Sequence, residues 1–281
     1  MFERISRGWR LGMTALSILR QDKKLLIFPL LSGLACLLVS ISFAAPFYFS
    51  DNVQHMIKDR DAGKAVHNIL TYAVLFGFYF MNYVVIIFFN TGLVACAMKR
   101  FNGEEPSLSY GFSVAVSRMP QIVAWSLVSA SVGVILRIIE QYSDKVGQIV
   151  AGLLGMAWNL MTYFVLPVLV VERVGPIDAV KRSCAVLRQA WGESIVANFG
   201  TGLLMFLMSL LALIPGVLGF LIGGPFLIAG IGLSILGLLI VSLISSATNT
   251  IILAALYKYA AQSTAPQQFD EEMLSGAFVR K

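Results

Sequence analysis

The most conspicuous shortage in this sequence is charge. Asp, Glu, Lys and Arg make up 13% of its 281 residues, whereas a soluble globular domain carries about 25%. The shortage falls in four long charge-free blocks, at 25–49, 69–98, 146–171 and 195–257. These blocks exclude an ordinary soluble fold and indicate membrane helices, because about 20 apolar residues span a ~30 Å hydrocarbon core.

Residues that carry chemistry are also scarce. Cys36, Cys96 and Cys184 lie in separate segments without metal-ligand spacing, which is typical of small buried hydrophobic residues. His55 and His67 lie in one loop between apolar blocks, where a solvated role is favoured over metal binding. The sequence has no phosphate-binding loop, glycine-rich dinucleotide turn or paired intramembrane carboxylates. We therefore expect a non-enzymatic protein with no cofactor and no metal.

Six continuous apolar segments predict an all-α, polytopic membrane bundle of six transmembrane helices. Continuous apolarity excludes the alternation of a membrane β-barrel, and the first segment is too long for a cleavable signal peptide. The predicted spans are 25–48, 67–98, 120–140, 146–171, 194–214 and 225–260.

The distribution of Lys and Arg predicts the orientation. With six spans both termini share one side of the membrane, and that side carries 16 of the 21 Lys and Arg residues. Cytoplasmic loops carry the excess of positive charge, so both termini are expected in the cytoplasm. The formal net charge of +6 then reflects topology. We expect no nucleic-acid partner, because no soluble basic domain is present.

A unit of one amphipathic segment and two apolar helices occurs three times. The amphipathic segments are Trp9–Gln21, Ser107–Gln121 and Pro176–Gln189. The motif Leu-Arg-Gln ends the first and third segments, and Arg118 occupies the same place in the second. The repetition predicts three cytoplasmic interfacial helices and a pseudo-threefold axis along the membrane normal.

Each amphipathic segment has a predicted apolar stripe and a polar face. The stripes are Ile5, Trp9, Met13 and Leu16; Leu108, Phe112, Ala115 and Met119; and Ile177, Val180, Cys184, Leu187 and Trp191. The arginines predicted to bind lipid headgroups are Arg7, Arg10, Arg182 and Arg188.

The repeats divide a single predicted membrane domain, 1–281, into consecutive parts. These are the first interfacial helix, span and outer loop (1–66), the second span (67–98), the second interfacial helix with spans three and four (99–171), the third interfacial helix with spans five and six (172–261), and a polar tail predicted to be disordered (262–281).

A family resemblance rests on two stretches. Leu166–Glu172, Gly175-Pro176, Ala179, Ser183 and Trp191, together with Gly8-Trp9-Arg10, resemble an uncharacterised prokaryotic multi-pass membrane family of unknown function. That resemblance implies a bacterial or archaeal cytoplasmic membrane. The layout before each span is also similar to the membrane domain attached to some glycerophosphodiester phosphodiesterases. Their chemistry sits in a soluble barrel domain that this sequence lacks, so no such activity is implied.

Uncharged polar residues within the spans are the candidate ligand-binding residues. They are Asn90, Asn159 and Asn249, and the pattern Asn-Thr followed by Ala and Lys recurs after both Asn90 and Asn249. These amides either line a path for a solute or lipid headgroup, or hold helices together by hydrogen bonds, which is the favoured reading. Arg137 and Glu140 form either a gate or, by preference, an interfacial pair.

Two features of length and composition leave alternatives open. The second and sixth spans exceed the hydrocarbon thickness, so they either project into the cytoplasm or are broken. The segment Pro215–Gly237 is rich in glycine and free of charge. It predicts a loop at the outer interface or one that re-enters the membrane at Pro215–Pro225, and a short turn between closely packed helices is favoured over re-entry.

The sequence favours an integral membrane protein that acts as a lipid-interacting scaffold or helper subunit. The alternative is a transporter or channel for a small solute or lipid, using the polar groups of spans two, four and six. Membrane lipids are the expected partners, together with a second copy of the chain or another membrane protein.

Overall fold

The computed structural model describes residues 2–49, 64–142, 145–189, 194–262, 266, 268 and 269, and side chains within 8–45, 72–141, 145–188, 201–261, 266, 268 and 269. No strand occurs in these ranges. The α-helices are α1 (Phe2–Gln21), α2 (Ile27–Phe49), α3 (Lys64–Phe101), α4 (Leu108–Ser117), α5 (Met119–Tyr142), α6 (Lys145–Met161), α7 (Val165–Glu172), α8 (Pro176–Gln189), α9 (Ser194–Ile222) and α10 (Pro225–Gln262). A 3-10 turn, Lys23–Leu26, joins α1 to α2.

Six segments of the described chain are helical, long and apolar enough to cross a membrane. They are Lys23–Ala45, Tyr72–Phe101, Met119–Gln141, Lys145–Glu172, Thr201–Ile222 and Pro225–Ala261. Each overlaps one predicted span, so the prediction of an all-α chain with six such segments is confirmed. α3 and α10 are each continuous over 38 residues, which excludes the alternative that the second and sixth spans are broken.

The chain forms two compact units. Unit 1 comprises Met1–Leu30, Gly92–Gly111 and Ala185–Lys281, and unit 2 comprises Leu31–Thr91 and Phe112–Cys184. Neither unit coincides with a sequence repeat.

An antiparallel pair of helices, α9 and α10, dominates unit 1. Gly219 and Gly230 meet backbone to backbone, and a Cβ at Gly219 would lie 3.1 Å from the Cα of Gly230. The turn consists of Gly223 and Gly224, whose φ angles of 79° and 58° suit glycine, and Pro225 begins the next helix. The loop predicted at Pro215–Pro225 is too long, because α9 continues through Pro215 to Ile222. The favoured alternative, a short turn between closely packed helices, agrees with the structure.

The α9 helix passes through Pro215 with help from α10. Proline has no N–H and disturbs the preceding helical turn. The Ser234 hydroxyl accepts a hydrogen bond from the Gly216 N–H (2.8 Å) and donates one to the Leu213 carbonyl (3.4 Å). Backbone groups on either side of the proline are thus bound inside the hairpin, which suits an apolar solvent.

The α1 helix packs against α9 and α10 through a face different from the predicted stripe. Its buried residues are Gly8, Leu11, Gly12, Ala15, Ile18 and Leu19. Met13 of the predicted stripe is 46% exposed, and Trp9 and Leu16 are only half-buried. Small residues on the buried face permit the close approach: Gly12 would place a Cβ 3.2 Å from Leu204.

In α8, as in α1, the buried face differs from most of the predicted stripe. There Ala179, Ser183, Val186 and Leu187 are buried, whereas Ile177 of the predicted stripe is 69% exposed. In α4 the buried residues are Gly111 and Ala115, followed by Arg118. The spacing of four and then three residues is shared by Leu11, Ala15 and Ile18, by Gly111, Ala115 and Arg118, and by Ala179, Ser183 and Val186. Ile5 and Trp191 lie outside the described side chains.

Exposure divides α10 into two parts. In 225–246 most side chains are exposed and apolar, with Phe226 at 59% and Ile228 at 77%. In 247–258 every residue is buried except Asn249 and Leu253. The exposed part is about 33 Å long at 1.5 Å per residue, close to the thickness of a hydrocarbon core.

The first described part of the C-terminal tail packs onto unit 1. Phe269 is 4% exposed and meets the Phe101 ring edge to face at 5.9 Å. The Gln268 amide donates a hydrogen bond to the Arg100 carbonyl at 3.0 Å. The prediction of a disordered tail is therefore wrong at these residues. It overlooked Phe269, whose ring is buried against Phe101.

In unit 2 the fourth span is interrupted between α6 and α7. Pro167 clashes with a continuous helix at Tyr163, four residues earlier. The Phe164 N–H is bound instead by the Ser183 hydroxyl of α8 at 3.0 Å. α5 packs on α6, with the rings of Trp125 and Trp158 stacked at 5.7 Å.

The hairpin contact makes a sharp prediction for glycine substitution in α10. Gly230→Ala should destabilise the protein by about 1–3 kcal/mol, because the added Cβ overlaps the carbonyl oxygen of Pro215. Gly232→Ala is the matched control, because nothing lies within 4 Å of its Cβ. That change should be neutral or stabilise by up to about 1 kcal/mol through helix propensity.

The measurement is the free energy of unfolding in mixed detergent micelles, titrated with sodium dodecyl sulfate. Equal stabilities of the two variants would contradict the packing described for α9 and α10.

Candidate functional site

A buried arginine binds the end of α7 in unit 2. Arg118 lies between α4 and α5 and is 7% exposed. Its Nε and Nη2 atoms both donate to the Val170 carbonyl, each at 3.2 Å. The last four carbonyls of a helix lack intrahelical partners and carry partial negative charge, so a cation there is stabilising. We call this contact the Arg118 clamp.

A buried lysine binds the end of α3 in unit 1. The Lys258 ammonium donates to the carbonyl of Phe101, the last residue of α3, at 3.2 Å and to Asn102 Oδ1 at 2.6 Å. Lys258 is 7% exposed and lies near the end of α10. This Lys258 clamp therefore ties the ends of two membrane-length helices together.

Arg100 joins the ends of α1 and α3 beside the Lys258 clamp. Its Nε atom lies 3.2 Å from Asp22 Oδ2, and its Nη2 donates to Gln21 Oε1 at 2.7 Å. The Arg100 Nε and Asp22 Oδ2 atoms form no hydrogen bond despite their separation, so we treat them as a charge pair with poor hydrogen-bond alignment. Both side chains are mostly buried, at 22% and 19% exposure.

The structure separates the four arginines predicted to bind headgroups. Arg10 on α1 and Arg188 on α8 are exposed, which a headgroup contact requires. Arg182 donates from Nε to Glu172 Oε1 at 2.8 Å, so part of its charge is already neutralised within unit 2. The Arg7 side chain lies outside the described residues.

The three candidate asparagines have different environments. Asn90 is half-buried on α3 and Asn159 is exposed on α6, both in unit 2. Asn249 is exposed on α10 in unit 1. A ligand-binding role for these residues stays a prediction. Among the described residues no group of three or more His, Cys, Asp or Glu is placed to hold a metal ion.

The predicted alternatives for Arg137 and Glu140 can be judged from geometry. Their side chains form an ion pair at 2.7 Å within α5, and both are more than half exposed. An exposed pair one helical turn apart contributes little energy. This arrangement fits the interfacial pair better than a gate.

Sequence reasoning missed the two clamps. Arg118 and Lys258 entered the prediction as cytoplasmic positive charges and as members of repeated motifs, without acceptors. A usable signal was present at Lys258, which is flanked by Tyr257 and Tyr259 in a long apolar helix. A cation in that setting needs a buried acceptor, since an unpaired charge away from water is costly.

The fold and these contacts define a multi-span, all-α protein of membrane type. Residues 69–267 match a family of unknown function (DUF6159), and because the match covers most of the chain, the protein belongs to that family. The match includes both clamps and all three asparagines. No curated protein matches the sequence.

The family assignment agrees with the predicted resemblance to an uncharacterised membrane family. Nothing in the comparison bears on the predicted likeness to phosphodiesterase membrane domains or on a prokaryotic source.

The Lys258 clamp predicts an unequal effect of removing two lysines. Lys258→Met should lower the free energy of unfolding by about 1–3 kcal/mol, because the Phe101 carbonyl loses its charged partner. Lys181→Met is the control, since Lys181 is 73% exposed and, among the ion pairs of the described residues, forms one with Asp178 at 3.5 Å. It should change stability by less than about 0.5 kcal/mol.

Unfolding in detergent, followed by circular dichroism, measures both variants under the same conditions. A Lys258→Met protein as stable as Lys181→Met would show that the clamp is not needed to hold these helix ends.

Proposed function

We propose that this protein is a non-enzymatic, lipid-interacting scaffold or helper subunit of a membrane assembly. The observation that carries the proposal is the three-sided character of α1. One face of this helix is buried in unit 1, a second carries exposed Arg10, and a third is apolar and largely uncovered by protein.

The uncovered apolar face is the side that lipid would occupy. On α1 it consists of Trp9, Met13 and Leu16, and it lies beside Arg10 and Arg20. On α8 one exposed face carries Ile177 together with Lys181, one turn further on, and Arg188 near the end of the helix. A helix that joins an apolar face to a basic one suits the interface of a membrane that contains anionic lipid.

The exposure pattern of α10 supports a placement for unit 1. Hydrocarbon would surround the exposed apolar part, 225–246, and the buried part, 247–258, would project beyond it with the Lys258 clamp. The excess of Lys and Arg on this side favours the cytoplasm for both termini. Partners would be lipids together with a second copy of the chain or another membrane protein.

A transporter is the second candidate function. The observation that favours it is the interruption of the fourth span at Thr162–Phe164, close to Asn159, because interrupted helices line substrate paths in many transporters. The scaffold remains the better proposal. The polar groups at the interruption are bound locally, by Ser183 to the Phe164 N–H and by Thr162 to the Trp158 carbonyl at 2.8 Å.

The proposal predicts that exposed arginines, rather than the paired one, retain anionic lipid. The double variant Arg10→Gln/Arg188→Gln should retain less phosphatidylglycerol, losing about 1 kcal/mol of binding free energy for each charge. Arg182→Gln should have a smaller effect, because its guanidinium is paired with Glu172. Native mass spectrometry from micelles holding equal phosphatidylglycerol and phosphatidylcholine measures the retention.

The matched control is Arg10→Lys/Arg188→Lys, which keeps both charges and should keep retention. If the glutamine and lysine variants both retain phosphatidylglycerol like the unmodified protein, the headgroup role of these residues is wrong.

A further inference from the structure

Helix α6 of unit 2 carries an exposed stripe that ends in a polar amide. Ile149, Gly152, Met156 and Asn159 follow one another at spacings of three, four and three residues, so they lie on one side of the helix. All four are exposed, with Ile149 at 64% and Met156 at 60%. A Cβ on Gly152 would meet nothing within 4 Å. We call these four residues the α6 stripe.

The contact between α6 and α5 uses a different side of α6. Ala151 is 7% exposed, and the Trp158 ring stacks on Trp125 at 5.7 Å. A Cβ on Gly155 would lie 3.7 Å from Cδ1 of Leu136 in α5. Packing within unit 2 therefore leaves the α6 stripe uncovered.

The amide of this stripe lies far from charge and without a partner. The nearest charged residues along the chain are Lys145, 14 residues before Asn159, and Glu172, 13 residues after it, at the two ends of the fourth span. Among the hydrogen bonds of the described residues, the Asn159 carbonyl accepts one from the Thr162 hydroxyl at 3.5 Å, and none involves the Asn159 side chain. A carboxamide has two donors and an acceptor oxygen, and hydrocarbon can bind neither.

A second copy of the chain is the partner that fits this stripe. All copies insert in the membrane with one orientation, so a two-fold axis along the membrane normal brings the Asn159 residues of two copies together at one depth. Each amide can then donate to the oxygen of the other, because a carboxamide is complementary to itself. Gly152 lets the two helices approach closely. An asparagine at one position of an apolar heptad stripe also fixes the register of the pair.

We propose that the α6 stripe is a homodimer interface in which the Asn159 amides of two copies bind each other within the membrane. The inference rests on the proposed function as a membrane scaffold and deepens it, since it names the surface through which one copy recognises another. In the monomer each amide faces hydrocarbon, which costs free energy. Dimer formation removes this cost for both copies in a single contact.

Disulfide cross-linking in membranes tests the geometry of the interface. In the full-length protein with Cys36, Cys96 and Cys184 changed to alanine, Met156→Cys should form a covalent dimer on treatment with copper phenanthroline. Leu154→Cys is the matched control. Leu154 is 49% exposed on the same helix but faces about 200° away from Met156, so it should stay monomeric.

Two results of this experiment would overturn the proposal. One is equal dimer formation at the two positions, or none at either. The other is a cross-link from Met156→Cys to a protein of different mass, because the occupant of the stripe would then be another membrane protein.

Energy transfer between donor-labelled and acceptor-labelled copies in phosphatidylcholine vesicles measures the strength of the dimer. Asn159→Leu should raise the dissociation constant threefold or more, about the effect of losing one interhelical hydrogen bond. Asn249→Leu is the control, because Asn249 is exposed on α10 in unit 1. It should leave the constant unchanged, and equal constants for the two variants would contradict the role of the α6 amide.

A larger residue at the glycine should block the close approach of the helices. Gly152→Leu should raise the dissociation constant at least about tenfold. The monomer should fold normally, because nothing lies within 4 Å of the new Cβ and leucine favours a helix over glycine. Gly232→Leu, at an equally open position of α10, should dimerise like the unmodified protein. A Gly152→Leu protein that dimerises equally well would overturn the interface, and circular dichroism checks that both variants fold.

The outcomes separate the dimer from the proposed lipid role. Monomeric protein whose Arg10→Gln/Arg188→Gln variant loses phosphatidylglycerol would overturn the dimer and support the lipid association. Cross-linked dimer whose arginine variant retains phosphatidylglycerol normally would support the interface and overturn the lipid role.

Discussion

The structure depends on the need to satisfy helix-end carbonyls where water is scarce. A helix leaves its last four carbonyls without intrahelical partners, and hydrocarbon supplies none. Here two buried cations bind such carbonyls: Arg118 at the end of α7 and Lys258 at the end of α3. Lys258 comes from α10 and Arg118 from the junction of α4 and α5, so satisfying a helix end also fixes the packing of its neighbours.

The same constraint explains the hydroxyl groups buried between helices. Ser234 binds backbone groups next to Pro215, and Ser183 binds the N–H of Phe164 above the break caused by Pro167. These polar side chains are committed to the backbone. The cations of α1 and α8 that remain exposed are available for the proposed lipid contacts, and this favours the proposed scaffold over a transporter.

Sequence reasoning succeeded for the six apolar spans, whose only solvent is hydrocarbon. It failed for the helices and helix ends at which hydrocarbon and water meet. The six spans were predictable because a hydrocarbon environment excludes charge over some 20 residues at a time. For α1 and α8 the sequence predicted an apolar stripe but not the buried face, because small residues such as Gly12 and Ala179 pack closely and carry little hydrophobic signal. The clamps were missed because the sequence around a buried cation does not show which group accepts its hydrogen bonds. For Lys258 the acceptor is the Phe101 carbonyl, 157 residues away in the sequence. The headgroup and ligand roles of the arginines and asparagines remain predictions.

The most direct test of the scaffold against the transporter is whether water reaches Asn90, Asn159 and Asn249 from the side opposite the termini. Single cysteines at Asn90, Asn159 and Asn249, with Cys36, Cys96 and Cys184 changed to alanine, are treated in intact cells with a charged, membrane-impermeant thiol reagent. Lys58→Cys should react as an outer-loop control and Lys181→Cys should not. A scaffold predicts no reaction at the three asparagine positions. Reaction at any of them at the rate of Lys58→Cys would reveal a solvated path and contradict it.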